Sequence, residues 1–499
     1  MRRNPVIILG VPIDCFTMDE TLRYIFHLME SYALDKKSRL VCTVNTDFIA
    51  NTLSWNLKKV NHPELLEILR KADLVTADGM PIVWTSKFLG PALPHRVTGS
   101  DLLPELSERA ARQNKSMYFL GGNPGSAKAA SAILEERYPG LTIAGWESPF
   151  VHIQGKELAD ADENDEAIVK RINDSKPDIL FIGFGNPKQE IWFERNRHRL
   201  QVPVSIGIGG TFDFITGNIA RAPVWMRDAG LEWLFRFSQD PRRLWKRYLV
   251  DFLKFGFLLW PSVISYRYAK AVAPHDYLKR CKSRVSYKYM TRGRQEVFSV
   301  TLPGIVDRET AAKVESIIPK RPVAHLIIDF TDTAFIDSAG LGFLMKLMVN
   351  WNAAGYDSFL VGLNPSMKKC MVYNRLHDLC SGRQFVSADD VLEHLEKNGA
   401  AHGHRIEIEE ENGMSSIRIS GIFKPAGIPL NDIRTLASLV RSRACTVDLS
   451  SVTSINSSGV IFLLKLKSFL KALDKSFKVT GATGSVEQVL KKTNTHRLF

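Results

Sequence analysis

The sequence predicts an α/β fold: one larger domain with a mostly parallel sheet, followed by two small α/β domains. In the first 240 or so residues, short apolar runs alternate with amphipathic stretches, as in proteins with a parallel sheet. Farther along, a block beginning at Asp329 recurs at Asp448, so that Ser338 and Ser457 occupy equivalent positions. A chain of 499 residues has room for two to four domains.

The first domain begins with a strand and a capped helix. Val6–Gly10 is predicted as a strand, and Thr17 with Glu20 forms a capping box that starts a helix ending near Tyr32. Further predicted strands are Arg39–Val44, Ser116–Gly121, Asp178–Gly183 and Val202–Gly207, and further helices are Ser126–Tyr138, Asp165–Ser175 and Lys188–His198. Ligands of such domains bind at the carboxyl ends of the strands.

Charge and cysteine usage limit the class of protein. The net charge is +13, and residues 241–294 contribute nearly all of it, with 14 Lys or Arg against two acids. The six cysteines form no CxxC pair and no Cys/His cluster, so we predict no metal site and no cofactor. The N-terminus lacks the features of a signal peptide, which together with scattered thiols predicts a cytoplasmic protein.

The segment Leu244–Ser265 mixes aromatic, leucine and basic residues. Its longest uncharged run, Phe255–Tyr266, has 12 residues, against about 20 for a membrane-spanning helix. We therefore predict that 249–294 is a basic, membrane-interfacial segment and linker on an anionic surface at the inner face of the cell membrane. A helix packed on the protein's own core is the alternative. Nucleic acid is not predicted as a partner, because no nucleic-acid-binding motif accompanies the charge.

Three strand-to-helix junctions of the first domain are rich in glycine. They are Leu120–Ser126, Ile182–Glu190 and Ile206–Asp213. Glycine lets the backbone approach a ligand, and the start of a helix offers free N–H groups, so the three turns favour a site for a nucleotide diphosphate. The sequence has neither a P-loop motif nor a GxGxxG motif with a later ribose-binding acid.

Asp78 stands where an apolar run meets an Asp-Gly turn. A carboxylate there can act as a general base, although the residues alone favour an ordinary turn. The same alternative applies to Asn45, Arg96 and Gln189. The triplet Asp160–Asp162 lies in an acidic stretch that looks like the solvated start of a helix, so we assign it no metal–nucleotide role.

Nine blocks in a fixed order then point to a known family. They are Thr43–Asn45, Ala77–Gly79, Arg96–Asp101, Phe119–Gly122, Lys176–Asp178, Gly183–Glu190, Gly209–Asp213, Arg221–Pro223 and Gly230–Trp233. Together they resemble the WecG/TagA/CpsF glycosyltransferases. The resemblance implies a Rossmann-like domain at 1–248 that transfers an N-acetylmannosamine-type or related sugar from a UDP-sugar to a polyprenyl-diphosphate-linked glycan in bacterial cell-surface polysaccharide assembly. It also implies a metal-independent, inverting reaction.

The resemblance also implies roles for individual residues. Asp78 becomes the catalytic base. The predicted donor and sugar ligands are Thr43, Asn45, Arg96, Gly121, Gly122, Gly183, Gly185, Lys188, Gln189, Gly209, Gly210 and Asp213. The predicted acceptor and membrane contacts are Arg221, Arg236, Arg242, Arg243 and Arg247. Met80 and Pro81 depart from the residues that usually follow the Asp-Gly pair in the family.

The repeated blocks resemble STAS domains of anti-sigma factor antagonists. We predict two such domains, at 295–395 and 405–499, that bind a protein partner or a kinase. The resemblance implies a phosphoacceptor serine at the start of a helix, Ser338 in the first copy and Ser457 in the second, where Asn456 replaces the aspartate. The alternative is a helix-capping serine.

Two other function classes remain to be distinguished. One is an interaction protein that has lost transfer and only senses a nucleotide-sugar through its STAS domains. Retention of Asp78, Gln189 and Asp213 argues against this class. The other is a nucleic-acid-binding protein, which would bind duplex DNA with strong salt dependence.

Overall fold

The computed structural model describes residues 3–498, except 58, 240, 273–284, 293–294, 320–321, 323, 381, 399–403, 412–413 and 426–429. Within this part of the chain a two-stranded hairpin and a six-stranded sheet come first, and a five-stranded, a two-stranded and a four-stranded sheet follow. The α/β fold with a parallel first sheet, predicted above, is confirmed.

The first domain alternates strands and helices. Its strands are β1 (Pro5–Ile8), β2 (Val11–Asp14), β3 (Arg39–Val44), β4 (Leu74–Ala77), β5 (Ser116–Gly121), β6 (Thr142–Glu147), β7 (Ile179–Gly183) and β8 (Val204–Gly207). Its helices are α1 (Met18–Asp35), α2 (Thr46–Thr52), α3 (Pro63–Lys71), α4 (Met80–Leu89), α5 (Gly99–Arg112), α6 (Ser126–Arg137), α7 (Ala161–Ser175), α8 (Lys188–Asn196) and α9 (Thr211–Ile215). Strands β1 and β2 form an antiparallel hairpin, and the parallel sheet has the order β4-β3-β8-β7-β5-β6.

The capping box of α1 is present as predicted. The Thr17 hydroxyl accepts a hydrogen bond from the Glu20 N–H, and the Glu20 carboxylate accepts one from the Thr17 N–H. The helix continues past the predicted end, and its C-cap is Lys36 in the left-handed region. A lysine in that position carries a weaker stop signal than glycine would, which explains the misplaced end.

Aromatic packing holds the centre of the sheet. The ring of Phe119 on β5 lies 5.8 Å from that of Phe181 on β7 and 5.0 Å from that of Phe212 on α9. All three side chains are fully buried, because helices cover both faces of the parallel sheet. The carboxyl ends of β5, β7 and β8 are therefore fixed relative to one another.

The acidic stretch Glu157–Glu166 is largely solvated, as predicted: Glu157, Asp160, Glu163 and Glu166 are exposed, and Asp165 within α7 is its one buried acid. Asp165 is completely buried and accepts hydrogen bonds from Trp192 Nε1 at 2.9 Å and Arg195 Nε at 2.6 Å. Asp162 pairs with Lys465 of the last domain at 3.2 Å. A buried carboxylate needs such partners, and they lie too far along the chain for local pattern to reveal them.

Three helices follow the first domain's sheet. They are α10 (Val224–Asp228), α11 (Glu232–Gln239) and α12 (Pro241–Val272). Within α12, the 23-residue stretch Leu249–Ala271 is long and apolar enough to cross a membrane by length and composition, and 22% of its hydrophobic window is buried. One side of α12 is docked on the protein: Lys254 Nζ donates to the Ala50 carbonyl at 2.6 Å and Ser262 Oγ to the Tyr373 carbonyl at 2.9 Å.

The first small domain has a five-stranded sheet of order β15-β14-β12-β10-β9, in which only β9 is antiparallel to its neighbour. Its strands are β9 (Ser286–Arg292), β10 (Gln295–Thr301), β11 (Ile305–Val306), β12 (His325–Asp329), β13 (Phe335–Ile336), β14 (Ser358–Val361) and β15 (Gln384–Phe385). Its helices are α13 (Arg308–Ile317), α14 (Ser338–Ala353), α15 (Pro365–Tyr373), α16 (His377–Cys380) and α17 (Ala388–Asn398).

The second small domain repeats this topology with the order β16-β17-β18-β19, again starting from an antiparallel pair. Its strands are β16 (His404–Glu411), β17 (Met414–Phe423), β18 (Ala444–Ile455) and β19 (Ser476–Thr480). Its helices are α18 (Leu430–Leu439), α19 (Ser457–Ala472) and α20 (Gly484–Lys492). In both domains the equivalent serine is the first residue of a 16-residue helix.

The first small domain begins earlier than residue 295. Strand β9 pairs along its whole length with β10, although its residues fall in the segment predicted as linker. Tyr287 and Tyr289 both pack on Phe298 of β10, at 5.7 and 4.9 Å between ring centroids. The basic residues that surround these tyrosines concealed the strand at the level of sequence.

Helix α3 of the first domain contacts both small domains. Arg70 donates to both carboxylate oxygens of Asp378, at 2.6 and 3.2 Å, in the first small domain. One turn earlier, Glu67 pairs with Lys424 of the second. The three domains are therefore joined by direct side-chain contacts as well as by the chain.

Candidate active site

The parallel sheet gathers the predicted site residues along one edge. Asp78 follows β4, Asn45 follows β3, and the turn at Gly209 follows β8, in that order across the sheet. Because neighbouring strands lie about 4.8 Å apart, two strand spacings, roughly 10 Å, separate the ends of β4 and β8. The turn at Gly185 after β7 comes next. An edge of this kind is where α/β domains bind ligands.

Asp78 sits half-buried at the rim of this edge. Its N–H donates to the Val44 carbonyl at 2.7 Å, which extends the β3–β4 pairing by one residue. Gly79 follows with φ +130°, a conformation that glycine tolerates, and Pro81 lies in the first turn of α4. Proline costs no hydrogen bond there, which accounts physically for the departure at Met80 and Pro81.

Thr43 and Asn45 stabilise the end of β3. Thr43 Oγ1 is buried and donates to the Gly207 carbonyl at 2.9 Å, linking β3 to β8. Asn45 is the N-cap of α2, where its Oδ1 accepts from the Phe48 N–H at 3.1 Å. Both predicted ligands thus also shape the edge.

The predicted glycines divide into two groups. A Cβ at Gly121 would come within 2.8 Å of Phe184, and one at Gly183 within 2.9 Å of Phe212, so close packing requires glycine at both. Gly122 similarly lies against Phe212, at 3.0 Å. The remaining members border open space, because a Cβ added there would meet no atom within 4 Å: Gly185, Gly209 and Gly210. The open turns after β7 and β8 are therefore the part of the edge that a ligand can approach.

Gln189 supports the open turn from below. It is 1% exposed, and its Oε1 accepts from the Gly209 N–H at 3.0 Å while its Nε2 donates to Glu190 Oε1 at 2.7 Å. Both ends of the Gln189 amide are thus used within the protein. This geometry makes Gln189 a brace for the turn.

Glu190 is a site residue that was not predicted from the sequence. Its carboxyl is fully buried, and burial raises the pKa of Glu190 to about 7, against the opposing hydrogen bonds from Gln189 and Asn186. Glu190 closes the Gly183–Glu190 block, so its place in the motif was visible. What the sequence did not show is that it lies beneath the sheet edge.

Asp213 and Lys188, two further predicted ligands, each contact other residues of the first domain. Asp213 is buried, accepts from Asn123 Nδ2 at 2.9 Å and from the Ser126 hydroxyl, and so ties α9 to the start of α6. Lys188 lies at the start of α8 with its ammonium 5.3 Å from the centre of the Phe150 ring.

Arginines cluster beside the edge. Arg221 donates to Asp101 at 2.6 Å, Arg227 lies 3.4 Å from the same carboxylate, and Arg96 donates to Glu232 at 2.8 Å. Arg227 was not predicted. Among the described side chains of this cluster, three guanidinium groups face two carboxylates, an excess of positive charge that suits a phosphate or diphosphate.

The other predicted arginines and serines lie apart from this cluster. Arg242 is exposed near the start of α12, while the side chains of Arg236, Arg243 and Arg247 lie outside the described residues. Ser338 and Ser457 are both buried against the first domain, at Gly90 and Glu64 respectively. Ser338 lies against Gly90, where a Cβ would come within 3.3 Å of its hydroxyl.

No metal cluster accompanies the sheet edge among the described residues, and a cavity beside β1 lies away from that edge. In this part of the chain, no group of three or more His, Cys, Asp or Glu side chains could hold a metal ion. The cavity, of about 290 Å³, lies between β1 and the first small domain, lined partly by Arg3, Arg308 and Lys346. It is a gap between domains and does not include the residues of the sheet edge.

The fold is that of an α/β domain with a parallel sheet and open turns at its strand ends, joined to two small α/β domains. The chain belongs to the glycosyl transferase WecG/TagA/CpsF family, whose model matches residues 6–268, more than half of its length. Residues 288–389 match the STAS domain. The predicted glycosyltransferase domain and the first STAS domain are thereby confirmed.

Curated relatives agree with this assignment. The chain is 31% identical over 238 residues to an N-acetylglucosaminyldiphosphoundecaprenol N-acetyl-beta-D-mannosaminyltransferase of Bacillus spizizenii, covering 47% of this chain and 84% of that protein. It is 30% identical over 267 residues to the enzyme of the same name from Staphylococcus aureus strain MW2, covering 53% and 92%. The match in both cases concerns about half of this chain.

Solved structures with a similar part include the anti-sigma factor antagonist SpoIIAA in its unphosphorylated form. The similarity has 18% identity and a TM-score of 0.19, and covers 22% of this chain and 97% of that one. The murine anion transporter Slc26a9 is similar at 19% identity and a TM-score of 0.19, over 38% of this chain and 33% of that one.

The Glu190 carboxyl gives the protein a pH-dependent stability. Because folding raises the pKa of Glu190, ionisation of this carboxyl lowers the free energy of unfolding. The loss begins above pH 4.5 and is complete above about pH 7. We expect Glu190→Gln to gain stability over the parent between pH 5 and pH 8 by roughly 3 kcal/mol, measured by urea unfolding. Glu30→Gln, at an exposed position, is the control. A stability difference that does not change with pH would contradict the role of Glu190.

Proposed function

We propose that the first domain transfers an N-acetylmannosamine-type sugar from UDP to a polyprenyl-diphosphate-linked N-acetylglucosamine acceptor. The observation that carries the proposal is the placement of Asp78 on the same strand edge as the open Gly209–Gly210 turn. The names of the relatives supply the sugar and the acceptor. The second small domain, which repeats the first one's topology, is proposed as a second STAS domain.

The chemistry follows from this placement. Asp78 takes the proton of the acceptor hydroxyl while the oxygen of that hydroxyl attacks the anomeric carbon of the sugar. The bond between this carbon and UDP breaks, and its electron pair goes to the leaving diphosphate. Attack opposite the leaving group inverts the anomeric centre. The leaving diphosphate lies at the open turns, where the N–H groups of Gly185 and Gly210 stabilise its charge without a metal, while the Gly209 N–H donates to Gln189.

The arginine cluster fits the acceptor's own diphosphate. Guanidinium groups pair with phosphate oxygens in a bidentate geometry, and Arg96, Arg221 and Arg227 are held close together by Asp101 and Glu232. The residue after Arg96 donates its N–H to the Ala77 carbonyl at 2.8 Å, so Arg96 lies beside the strand that ends at Asp78. Proximity of a lipid diphosphate to the base would orient the acceptor hydroxyl for attack.

Helix α12 is the proposed membrane contact. An exposed apolar stripe follows helical spacing along it: Leu249, Leu253, Phe257, Trp260, Ile264 and Tyr268. The opposite side carries the buried Leu258 and Ser262, which contact the protein. A helix docked along one side and apolar along the other suits a position in the membrane interface better than a crossing. We therefore propose a cytoplasmic protein attached to the inner membrane face.

Removal of the base tests the reaction. Asp78→Asn keeps the size of the side chain but cannot accept the proton, so we expect turnover to fall at least about 100-fold with UDP binding near normal. The assay follows UDP release from a panel of UDP-sugars with a polyprenyl-diphosphate-N-acetylglucosamine acceptor. Asp332→Asn, exposed in the first small domain, is the control.

Two outcomes would count against this scheme. Unchanged turnover in Asp78→Asn would remove Asp78 as the base. If the parent protein binds UDP-sugar but transfers nothing to any acceptor of the panel, the nucleotide-sugar-sensing protein becomes the better account.

Charge on the α12 stripe tests membrane attachment. In Leu253→Glu/Trp260→Glu, two exposed apolar contacts become acidic, so we expect at least tenfold weaker binding to phosphatidylglycerol vesicles in a sedimentation assay. Val386→Glu changes an 87% exposed residue of the first small domain and should bind like the parent. Equal binding of all three proteins would refute the stripe, and resistance of the parent to alkaline extraction would indicate a spanning helix.

A further inference from the structure

The start of α19 in the second small domain holds a carboxylate from the first domain. Glu64 Oε1 accepts two hydrogen bonds there, from the Ser457 N–H at 2.9 Å and from its hydroxyl at 2.7 Å. Ser457 is 1% exposed and Glu64 6% exposed. The contact joins residues 393 positions apart in the chain.

The turn that receives this carboxylate is fully formed. Asn456 caps α19 by accepting from the Gly459 N–H at 3.0 Å, as Asp337 does from Gly340 at 2.8 Å in the first small domain. The Ser457 N–H is therefore left for an external acceptor. The N-terminus of a 16-residue helix is also the positive end of its dipole, which favours an anion at this point.

Complementary charges and apolar contacts surround the pair. The first domain supplies the acids Glu67 and Asp162, and the second small domain supplies their partners Lys424 and Lys465. Apolar residues Leu158 and Ala161, from the turn before α7 and its first residue, are buried within the core of the second small domain. Glu64 thus lies inside a continuous interface rather than in a chance surface contact.

We propose that the start of α19 is a carboxylate-binding docking point and that its ligand is Glu64 of the same chain. A negative charge on Ser457 would then prevent Glu64 from docking. An acidic group of another protein could bind the start of α19 only by displacing Glu64. Because α3 leads directly into β4, docking also holds the strand that ends at Asp78. Only this last link rests on the proposed function.

At the equivalent turn of the first small domain, no carboxylate of the residues that the structure describes is hydrogen-bonded to the serine hydroxyl. The Ser338 hydroxyl is buried against Gly90 and has no hydrogen-bond partner among the described residues. The two serine turns therefore face the same domain in different ways. The carboxylate at Ser457 distinguishes the second copy, in which Asn456 replaces an aspartate that would repel Glu64.

Introduction of a negative charge at Ser457 in the full-length chain tests the docking. In Ser457→Glu, two carboxylates face each other, and we expect hydrogen–deuterium exchange of peptides covering α3 and the start of α19 to become at least tenfold faster. In Glu64→Lys/Ser457→Glu the pair is attractive again, so exchange should return to within about threefold of the parent. Full rescue by a second charge change cannot arise from general unfolding.

Two matched variants complete the test. Glu64→Gln keeps an accepting oxygen but loses the charge, so its exchange should be faster than that of the parent and slower than that of Ser457→Glu. Ser458→Glu places the same charge one residue away from the Glu64 contact and should exchange like the parent. If Ser457→Glu cannot be purified, Glu64→Lys probes the same contact from the other side, with faster exchange expected at the start of α19. Unchanged exchange in Ser457→Glu or Glu64→Lys, or failure of the double variant to recover, would overturn the docking. Exchange is read without any substrate, so a failure of the proposed transfer reaction leaves this result intact.

Discussion

One nine-residue helix, α3, links all three domains, because it carries three polar side chains with partners in the small domains. Successive turns present Glu64 to Ser457, Glu67 to Lys424 and Arg70 to Asp378. An isolated helix of this length is marginal in water, so its position is set by these contacts and by the core beneath it. Because β4 follows α3 after two residues, the same contacts help to place Asp78 at the sheet edge.

Much of the first domain could be predicted from sequence because its signals are local. Apolar runs gave the strands β3, β5 and β7 nearly to the residue, and the capping box at Thr17 gave the start of α1. Once the sheet is parallel, its topology places the loops after the strands on one edge. The row from Asp78 to Gly185 follows from that geometry, even though the residues alone favoured an ordinary turn at Asp78.

What the sequence could not provide are contacts between distant residues. The pattern did not show that the Gln189 amide is hydrogen-bonded to Gly209 and Glu190. It also did not show that Arg227 lies in the same cluster as Arg96 and Arg221. Nor did it show which predicted glycines fill packing positions and which border open space. In the small domains, basic residues concealed β9, and nothing local indicated that both serine turns would be buried against the first domain. Those features exist only once distant parts of the chain have folded together.

The tether between Glu64 and Ser457 has a consequence for any molecule that would compete for the turn. Since both groups belong to one chain, the carboxylate is present at an effective concentration on the order of millimolar or above, whatever the abundance of the protein. A soluble acidic ligand of modest affinity would be outcompeted at cellular concentrations. A partner that makes several contacts at once is therefore better able to displace Glu64. Weakly binding partners would leave the contact between the two domains intact.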